Sequence, residues 1–293
     1  MTGQARAGLA FALPVLVATL LFLVVPTLGA LLLSVTDFDI YALADLHDLR
    51  FVGMGNYAEL LRTPLFWRAV GNTALFAAIG VPASIGTSLV AALLLGSATL
   101  RWKPLWRLLL FAPYVTTLVA TALVWRYVLD TQAGLLNYAL SLVGIAPVDW
   151  LGDPRTSIPA TLIFVVWKVF GYNMLVFAAA LAVVPQDLHE AASLDGAGAL
   201  ARFRHVTLPA IGPALLLASV LSIANFLQIF AEPYVMTQGG PAQSTETILF
   251  FMFDQGFTWW NLGMASAVAV LLFVVTLALT AVQTALGRRR EWL

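Results

Sequence analysis

Residues 190–209 read EAASLDGAGALARFRHVTLP, a polar stretch rich in charged and small residues. It lies between two long apolar segments, at about 158–184 and 211–231, in a chain that is 61% hydrophobic and only 10% charged. Soluble domains carry about a quarter charged residues. Because this chain has too few polar groups to cover its apolar surface, its composition indicates that lipid is its solvent. The stretch is therefore a polar connection inside a membrane protein.

Six segments are apolar and long enough, at roughly 20 residues, to cross a bilayer as helices. They lie at about 8–33, 69–95, 106–129, 158–184, 211–231 and 262–286. The apolar run of the first segment exceeds the ~7–15 residues of a cleavable signal peptide, which predicts a retained membrane helix. The sequence thus predicts an all-α polytopic membrane protein with six transmembrane helices, forming a single domain over residues 1–293.

The arginine and lysine residues predict the orientation of these helices. With a cytoplasmic N-terminus, nine of them fall in cytoplasmic segments and five in outer segments, as the positive-inside rule requires. Arg202 and Arg204 in the polar stretch, and Arg288, Arg289 and Arg290 after the last segment, contribute to this excess. Both termini and the polar stretch are therefore predicted to be cytoplasmic.

Local capping signals predict a short helix at the start of the polar stretch. Asp187 and Glu190 have the spacing of a capping box, so the helix is expected to start at Asp187. Pro185 ends the preceding segment, and Gly196 and Gly198 predict the end of the short helix. Taken alone, these residues are equally consistent with an ordinary capped loop helix.

The wider spacing resembles the signature of permease subunits of binding-protein-dependent ABC transporters. That signature is Glu-Ala-Ala, three residues, Gly, nine residues, Ile, one residue and Leu-Pro. The matching residues here are Glu190, Ala191, Ala192, Gly196, Leu208 and Pro209. Val206 in place of isoleucine is the only departure. The resemblance implies a type I ABC importer permease fold, in which a cytoplasmic coupling helix lies between the fourth and fifth spans.

The resemblance also implies a role for each residue of the coupling segment, residues 185–210. The coupling helix would dock into a cleft of a separate ATPase subunit. Glu190 would contact the ATPase, Ala191 and Ala192 would allow close docking, and Gly196 would permit the turn. The implied coupling motif is completed by Asp195, Leu208 and Pro209.

Four further stretches resemble sugar permeases of the maltose and glycerol-phosphate type. They are FVGMGNYAELL (51–61), NTALF (72–76), WLGDP (150–154) and YVMTQGGPAQSTETILFFMFDQGF (234–257). The Thr-x-Gly-Gly-Pro-x-x-Ser-Thr pattern at 237–245 is similar to one that marks the maltose-permease-F-like branch. From the residues alone, Gly-Gly-Pro is only a turn signal.

The resemblance implies several partners in the cytoplasmic (inner) membrane of a bacterium or archaeon. They are a second homologous permease subunit in a heterodimer, two ATP-binding subunits and an extracytoplasmic solute-binding protein. The sequence has no Gly-x-x-x-x-Gly-Lys-Ser/Thr loop, so ATP and Mg are expected on the ATPase subunits and no cofactor in this chain. We expect no enzymatic activity and no nucleic-acid partner.

No metal site is expected either. The chain has no cysteine, which excludes thiolate ligands. His47, His189 and His205 lie in separate polar segments and are predicted to be solvated.

Polar residues at membrane depth are the candidates for a solute pathway. Asn225, Gln228 and Glu232 are spaced to share one helix face. The complete candidate set is Lys168, Asn173, Asn225, Phe226, Gln228, Phe230 and Glu232. The alternative interpretations are that Lys168 snorkels or pairs structurally, and that the amides join neighbouring helices.

Amides and aromatic rings favour a neutral sugar, since amides bind hydroxyl groups and rings stack on C–H faces. A phosphorylated solute would favour several buried arginine or lysine residues. An ABC permease for glycerol-phosphate, an amino acid or another small polar solute is the main alternative. A secondary transporter, which would favour internal repeats and midplane ionisable groups, and a non-transporting membrane scaffold are the others.

Overall fold

The computed structural model describes residues 3–45, 49–97, 99–289 and 292. His47 and Arg290, for which the sequence makes predictions, lie outside the described residues. The described part is predominantly helical, which confirms the predicted all-α fold class. In chain order the helices are α1 (Gly3–Thr19, continuing through Val25–Leu33), α2 (Ile40–Ala44), α3 (Gly55–Arg62), α4 (Pro64–Gly96), α5 (Lys103–Val115), α6 (Leu118–Val128), α7 (Leu135–Ser141), α8 (Ser157–Ala182), α9 (Gln186–Leu194), α10 (Ala199–Ala210), α11 (Gly212–Leu227), α12 (Ala231–Met236), α13 (Ile248–Thr258) and α14 (Leu262–Arg289).

Four of these helices, α1, α4, α8 and α14, are long and apolar enough to cross a membrane unaided. Within the described residues there are also two bent pairs, α5 with α6 and α10 with α11, and the total is six if each pair forms one span. A π-helical turn at Leu20–Val24 interrupts α1. It lies just before Pro26, whose missing N–H leaves a carbonyl of the preceding turn without its usual donor.

The third predicted segment, 106–129, is not one straight helix. α5 and α6 meet at 99°, and between them Thr116 and Thr117 are extended, with ψ of 153° and 129°. Pro113 weakens the last turn of α5 because it cannot donate to the carbonyl four residues earlier. A residue outside the segment stabilises the break, because Lys168 of α8 donates hydrogen bonds to the carbonyl groups at the end of α5.

The fifth predicted segment, 211–231, also departs from the prediction. α10 and α11 are bent by 72°, and α11 ends at Leu227, four residues early. Pro233 of α12 is the physical reason for the early end, because it cannot donate to the carbonyl of Ile229. The hydroxyl of Thr247 donates to that carbonyl instead, at 2.7 Å.

The chain divides into two compact units. One comprises Met1–Trp67 and Phe251–Val274, and the other comprises Arg68–Phe250 and Val275–Leu293. In the first unit, the Asn56 amide donates to the carbonyls of Ser34 and Thr36, at 2.9 and 2.7 Å. These bonds hold α3 against the end of α1.

The second unit has an aromatic core between α4, α6, α8 and α11. Its largest buried side chains include Phe76, Phe164 and Phe226. Gly80 is required for this packing, because a Cβ there would lie 2.1 Å from the Phe226 ring. Gly171 likewise lets α8 approach α5, since its Cβ would lie 2.5 Å from the Leu110 carbonyl oxygen. These close approaches place α5, α8 and α11 around the cavity described below.

Candidate functional site

The helix at the start of the 185–210 segment does not begin as predicted. α9 starts at Gln186, preceded by Pro185 in an extended conformation, and no side chain caps it. Asp187 lies inside the first turn, so the predicted capping box with Glu190 is wrong. Proline presets the backbone at the helix start, and the Asp187 carboxylate there still complements the positive end of the helix dipole.

The end of α9 is a complete Schellman motif. The Gly196 N–H donates to the Ser193 carbonyl at 3.1 Å, and the Ala197 N–H donates to the Ala192 carbonyl at 2.9 Å. Gly196 has φ +79°, a left-handed conformation that costs other residues about 1–2 kcal/mol. Gly198, predicted to help end α9, instead begins α10 with a negative φ.

The surface of α9 is open. None of its residues is buried, and Leu194 is 89% exposed at its tip. A cleft of about 540 Å³ lies beside α9, lined by Gln186, His189, Glu190, Ser193, Leu194 and Arg202. Exposed apolar side chains rimmed by polar groups are typical of a protein–protein contact surface.

The other motif residues follow on α10. Leu208 and Pro209 form its last turn, after a π-helical turn at Phe203–Thr207. Pro209 is exposed and Leu208 is half-buried. His205 is exposed, whereas His189 is half-buried at the cleft.

A second site lies between α5, α8 and α11. It is a cavity of about 170 Å³, lined by Tyr114, Val169, Tyr172, Asn173, Leu221, Ser222, Asn225 and Phe226. The rings of Tyr114 and Tyr172 stack with centroids 5.2 Å apart, and the Asn173 amide donates to the Ser222 hydroxyl at 3.0 Å. The cavity therefore combines amide, hydroxyl and aromatic groups.

The cavity brings together three of the seven predicted pathway residues, Asn173, Asn225 and Phe226. Phe226 is only 2% exposed and packs on Gly80, so most of its ring belongs to the core. The predicted common face of Asn225, Gln228 and Glu232 is wrong, because α11 ends before Gln228.

The remaining predicted pathway residues lie elsewhere. Gln228 is exposed, and Glu232 belongs to α12. Phe230 packs its ring edge-on against Phe250, at 5.7 Å.

Lys168 does not line the cavity. Its ammonium group donates to the Pro113 carbonyl at 2.6 Å, to the Tyr114 carbonyl at 3.4 Å and to both oxygens of Thr116. These contacts agree with the alternative interpretation of Lys168 as a structural link to another helix.

Sequence reasoning missed Tyr114, Tyr172 and Ser222. Ser222 precedes Asn225 by three residues and so shares its helix face, and this spacing can be recognised in the sequence. No comparable signal marks the two tyrosines, because aromatic residues in membrane helices commonly pack against neighbours.

The 237–247 loop has an unusual backbone. Gln238, Ala242 and Gln243 have φ of 52°, 48° and 61°, which is uncommon for residues other than glycine. The Asn72 amide donates to the carbonyls of Gln243 and Glu246, at 2.9 and 2.8 Å. Such a conformation persists only where surrounding contacts over-determine it.

Further side-chain contacts hold the same loop. The hydroxyls of Thr237 and Thr245 are 2.6 Å apart, and those of Ser157 and Ser244 are 2.9 Å apart. Arg68 donates to the Ala242 carbonyl at 3.1 Å. The loop is therefore held by α4, by α8 and by its own threonines.

A polar cleft of about 310 Å³ lies beside this loop, between Arg126, Asp130, Gly152 and Gln238. The backbone N–H groups of Ala133 and Gln132 donate to the Asp130 carboxylate. These hydrogen bonds lower the pKa of Asp130, which stays ionised at neutral pH.

Comparison with known proteins gives consistent results. Residues 6–292 match the family described as "Binding-protein-dependent transport system inner membrane component". The probable ABC transporter permease protein YurN of Bacillus subtilis is 32% identical over 276 residues, covering 93% of each chain. The trehalose/maltose transport system permease protein MalF of Thermococcus litoralis is 32% identical over 291 residues, covering 98% of this chain and 96% of the relative.

A solved structure shows the same fold. It is a chain of a bacterial ABC transporter involved in the import of the acidic polysaccharide alginate, with a TM-score of 0.82 and 22% identity. The match covers 98% of this chain and 96% of that chain. The predicted type I importer permease fold is thereby confirmed. This chain belongs to the family of binding-protein-dependent transport system inner membrane components.

Proposed function

We propose that this chain is the membrane permease subunit of an ATP-driven ABC importer for a neutral sugar or oligosaccharide. The observation that carries the proposal is the cavity between α5, α8 and α11, with its stacked tyrosines and amide groups. Its described lining residues include no charged side chain. Tyrosine rings stack on the C–H faces of a sugar, and the amides of Asn173 and Asn225 bind its hydroxyl groups. The named substrate of the Thermococcus litoralis relative supports the same class.

A phosphorylated solute is disfavoured by the position of Lys168. Phosphate recognition relies on cationic donors aimed at the ligand. Lys168 directs its ammonium group to the end of α5 instead. This arrangement supports a sugar over glycerol-phosphate as the solute.

Energy and solute come from partner proteins. Two ATP-binding subunits hold ATP and Mg, and one of them docks on α9 of this chain. Glu190 contacts the ATPase, Ala191 and Ala192 allow close docking, and Gly196 sets the turn. The openness of α9 and its adjoining cleft support this docking.

The remaining partners lie in the membrane and outside the cell. A second, homologous permease completes the membrane portion, and an extracytoplasmic solute-binding protein delivers the sugar. Both termini and the 185–210 segment lie in the cytoplasm, and the 237–247 loop lies on the opposite face. The excess of arginine and lysine in the first set of segments supports this orientation.

Transport by the reconstituted complex tests the proposal. The chain is placed in liposomes with its partner permease, ATPase subunits and binding protein, and uptake of labelled trehalose, maltose, lactose and glycerol 3-phosphate is measured with and without ATP. We expect ATP-dependent uptake of at least one neutral sugar. Uptake of glycerol 3-phosphate alone, or uptake driven by an ion gradient without ATP, would contradict the proposal.

Two variants test whether the solute uses the cavity. Asn225→Ala and Tyr172→Ala are each expected to lower sugar uptake by about tenfold, because each removes one strong interaction with the sugar. Gln228→Ala is the matched control, because Gln228 is an exposed amide just beyond the end of α11. Equal uptake by all three variants, in complexes that assemble normally, would remove the cavity from the pathway.

A further inference from the structure

At the break between α5 and α6, the last backbone carbonyls of α5 lie in an apolar part of the chain and need donors from side chains. The last carbonyls of any helix lack donors within that helix. α6 leaves at 99° to α5 and so does not supply them. In a membrane these groups must be satisfied inside the protein. The Thr116 hydroxyl donates to the Pro113 carbonyl at 2.7 Å, so it is the carbonyls of Tyr114 and Thr116 that depend on a donor from another element.

Lys168 of α8 is that donor. The side chain is only 6% exposed, and its ammonium group reaches the carbonyls of Pro113, Tyr114 and Thr116 together with the Thr116 hydroxyl. An ammonium group has three donors and no acceptor, so these four oxygens share three N–H groups, and the contact with the Tyr114 carbonyl is the longest, at 3.4 Å. A cation is favoured at the C-terminal end of a helix.

The same face of α8 forms the wall of the cavity. Tyr172 follows Lys168 by four residues and therefore lies on the same side of the helix. Lys168 binds the carbonyls of Pro113 and Thr116, on either side of Tyr114, and contacts the Tyr114 carbonyl at 3.4 Å. Tyr172 stacks on the ring of Tyr114, with ring centroids 5.2 Å apart. One helix face thus fixes both the main chain and the ring of a cavity residue.

We propose that Lys168 is a positioning residue, which acts on the transported solute through Tyr114. Lys168 holds the end of α5 so that the Tyr114 ring stays stacked on Tyr172 and completes the aromatic wall of the cavity. The inference rests on the proposed function for the identity of the solute, but the link from Lys168 to Tyr114 is testable without transport.

Cross-linking measures that link directly. Because the chain contains no cysteine, a Tyr114→Cys and Tyr172→Cys pair reports the separation of α5 and α8 without background in this subunit. A short bifunctional thiosulfonate reagent is applied to the assembled complex in membranes. We expect efficient cross-linking with Lys168 present, a yield lowered at least about fivefold by Lys168→Met, and recovery of most of the yield in Lys168→Arg.

A matched control separates this effect from general loosening of α8. Thr161 is also buried in α8, but its hydroxyl donates only within the helix, to the Ser157 carbonyl at 2.8 Å. Thr161→Val is expected to leave the cross-linking yield unchanged. Should Lys168→Met not assemble, Lys168→Gln replaces it, and its amide is expected to give an intermediate yield. A yield unchanged by loss of the ammonium group overturns the proposal.

A double-mutant cycle tests whether Lys168 affects transport through Tyr114. Lys168→Met and Tyr114→Ala are each expected to lower sugar uptake several-fold, and the double variant should lose little beyond the larger single effect, since one acts through the other. Losses that multiply independently overturn the proposal. If no variant and no wild-type complex transports any sugar, the proposed function fails, while the cross-linking result still decides the role of Lys168.

Discussion

The 185–210 segment and the 237–247 loop are both polar connections in a mostly apolar chain, and they differ in how far side chains hold them. α9 in the first segment is closed by main-chain hydrogen bonds at Gly196 and has no buried residue. The second has main-chain hydrogen bonds too, such as that from the Thr245 N–H to the Gly239 carbonyl. It is held in addition by side chains, with Thr245 and Thr247 fully buried and Asn72 binding its carbonyls.

This difference determines which side chains of each region remain available to bind other molecules. The 185–210 segment satisfies its turn with the backbone, so the side chains of α9 remain available to a partner. In the 237–247 loop, the threonines bind backbone carbonyls in the loop and before it, and Asn72 binds two of the loop's carbonyls. The conformation of the loop is therefore set before anything binds. Substitutions in the first region should therefore impair coupling, and substitutions in the second should impair stability.

The largest effect is expected from Gly196→Val. The left-handed φ of +79° is unfavourable for a β-branched residue by at least about 1–2 kcal/mol, so the Schellman motif opens and α10 is redirected. We expect ATP-dependent sugar uptake to fall by about tenfold or more while the chain still inserts, measured by uptake and by immunoblotting of membranes.

Gly198→Ala is the control for that substitution. Gly198 has a negative φ and open space around its Cβ position, so uptake should stay close to that of the wild type. Normal uptake by Gly196→Val would show that the turn has no role in coupling.

Leu194→Glu should weaken docking without disturbing the fold. Leu194 is 89% exposed and lines the cleft beside α9. The new glutamate therefore stays in solvent in the isolated chain and becomes buried only when the ATPase subunit docks. We expect the amount of co-purifying ATPase to fall about fivefold to tenfold. Leu200→Glu, at a 78% exposed leucine that does not line the cleft, is the comparison. Equal losses from both variants would argue against a specific surface at α9.

Asn72→Ala should act on stability. It removes the two hydrogen bonds that the Asn72 amide donates to the carbonyls of Gln243 and Glu246, at a cost of about 1–2 kcal/mol. The Tm of the purified complex should fall by about 2–4 °C. Gln243→Ala removes only an exposed contact with Arg68 and should change Tm much less. A Tm unchanged by Asn72→Ala would mean that the loop is not held from α4.

The smallest effect is expected from Asp130→Asn, and it should depend on pH. Hydrogen bonds from Ala133 and Gln132 lower the pKa of Asp130 in the folded chain. The ionised carboxylate therefore stabilises the turn at pH above its ordinary value of about 4, and this contribution is lost as the pH falls through the lower folded pKa. The Tm difference between wild type and Asp130→Asn should be constant from about pH 5 to 8 and shrink below about pH 4. A difference that grows on acidification would contradict the assignment.

Hydropathy alone was sufficient to predict the helical membrane fold, because long apolar runs such as α1 and α14 need no tertiary information. The twenty-residue signature was sufficient for the family, and membership of that family confirms that the chain is a transport component and not an enzyme. The breaks at Thr116 and Gln228 were not predicted. Each involves a donor outside the predicted segment, Lys168 in one case and Thr247 in the other.

The candidate cavity could be predicted only in part, because some of its lining residues depend on these unpredicted breaks. Asn173 and Asn225 stand out because amides are rare and costly within membrane helices. Gln228 and Glu232 were predicted to line the pathway because the helix was assumed to be continuous, but it is interrupted before Pro233. The contribution of Tyr114 depends on the break beside it, so no pattern within its own segment could have revealed it.

The most direct test of the account is site-specific cross-linking from the 185–210 segment. A single cysteine at Ser193, in the cleft beside α9, is given a photoactivatable cross-linker in native membranes, and the product is identified by mass spectrometry. A second variant carries the cysteine at Gln243, on the exposed surface of the 237–247 loop. We expect an ATP-binding subunit attached at residue 193 and none at residue 243. An ATP-binding subunit attached at residue 243, or no such product at residue 193 in complexes that transport, would contradict it.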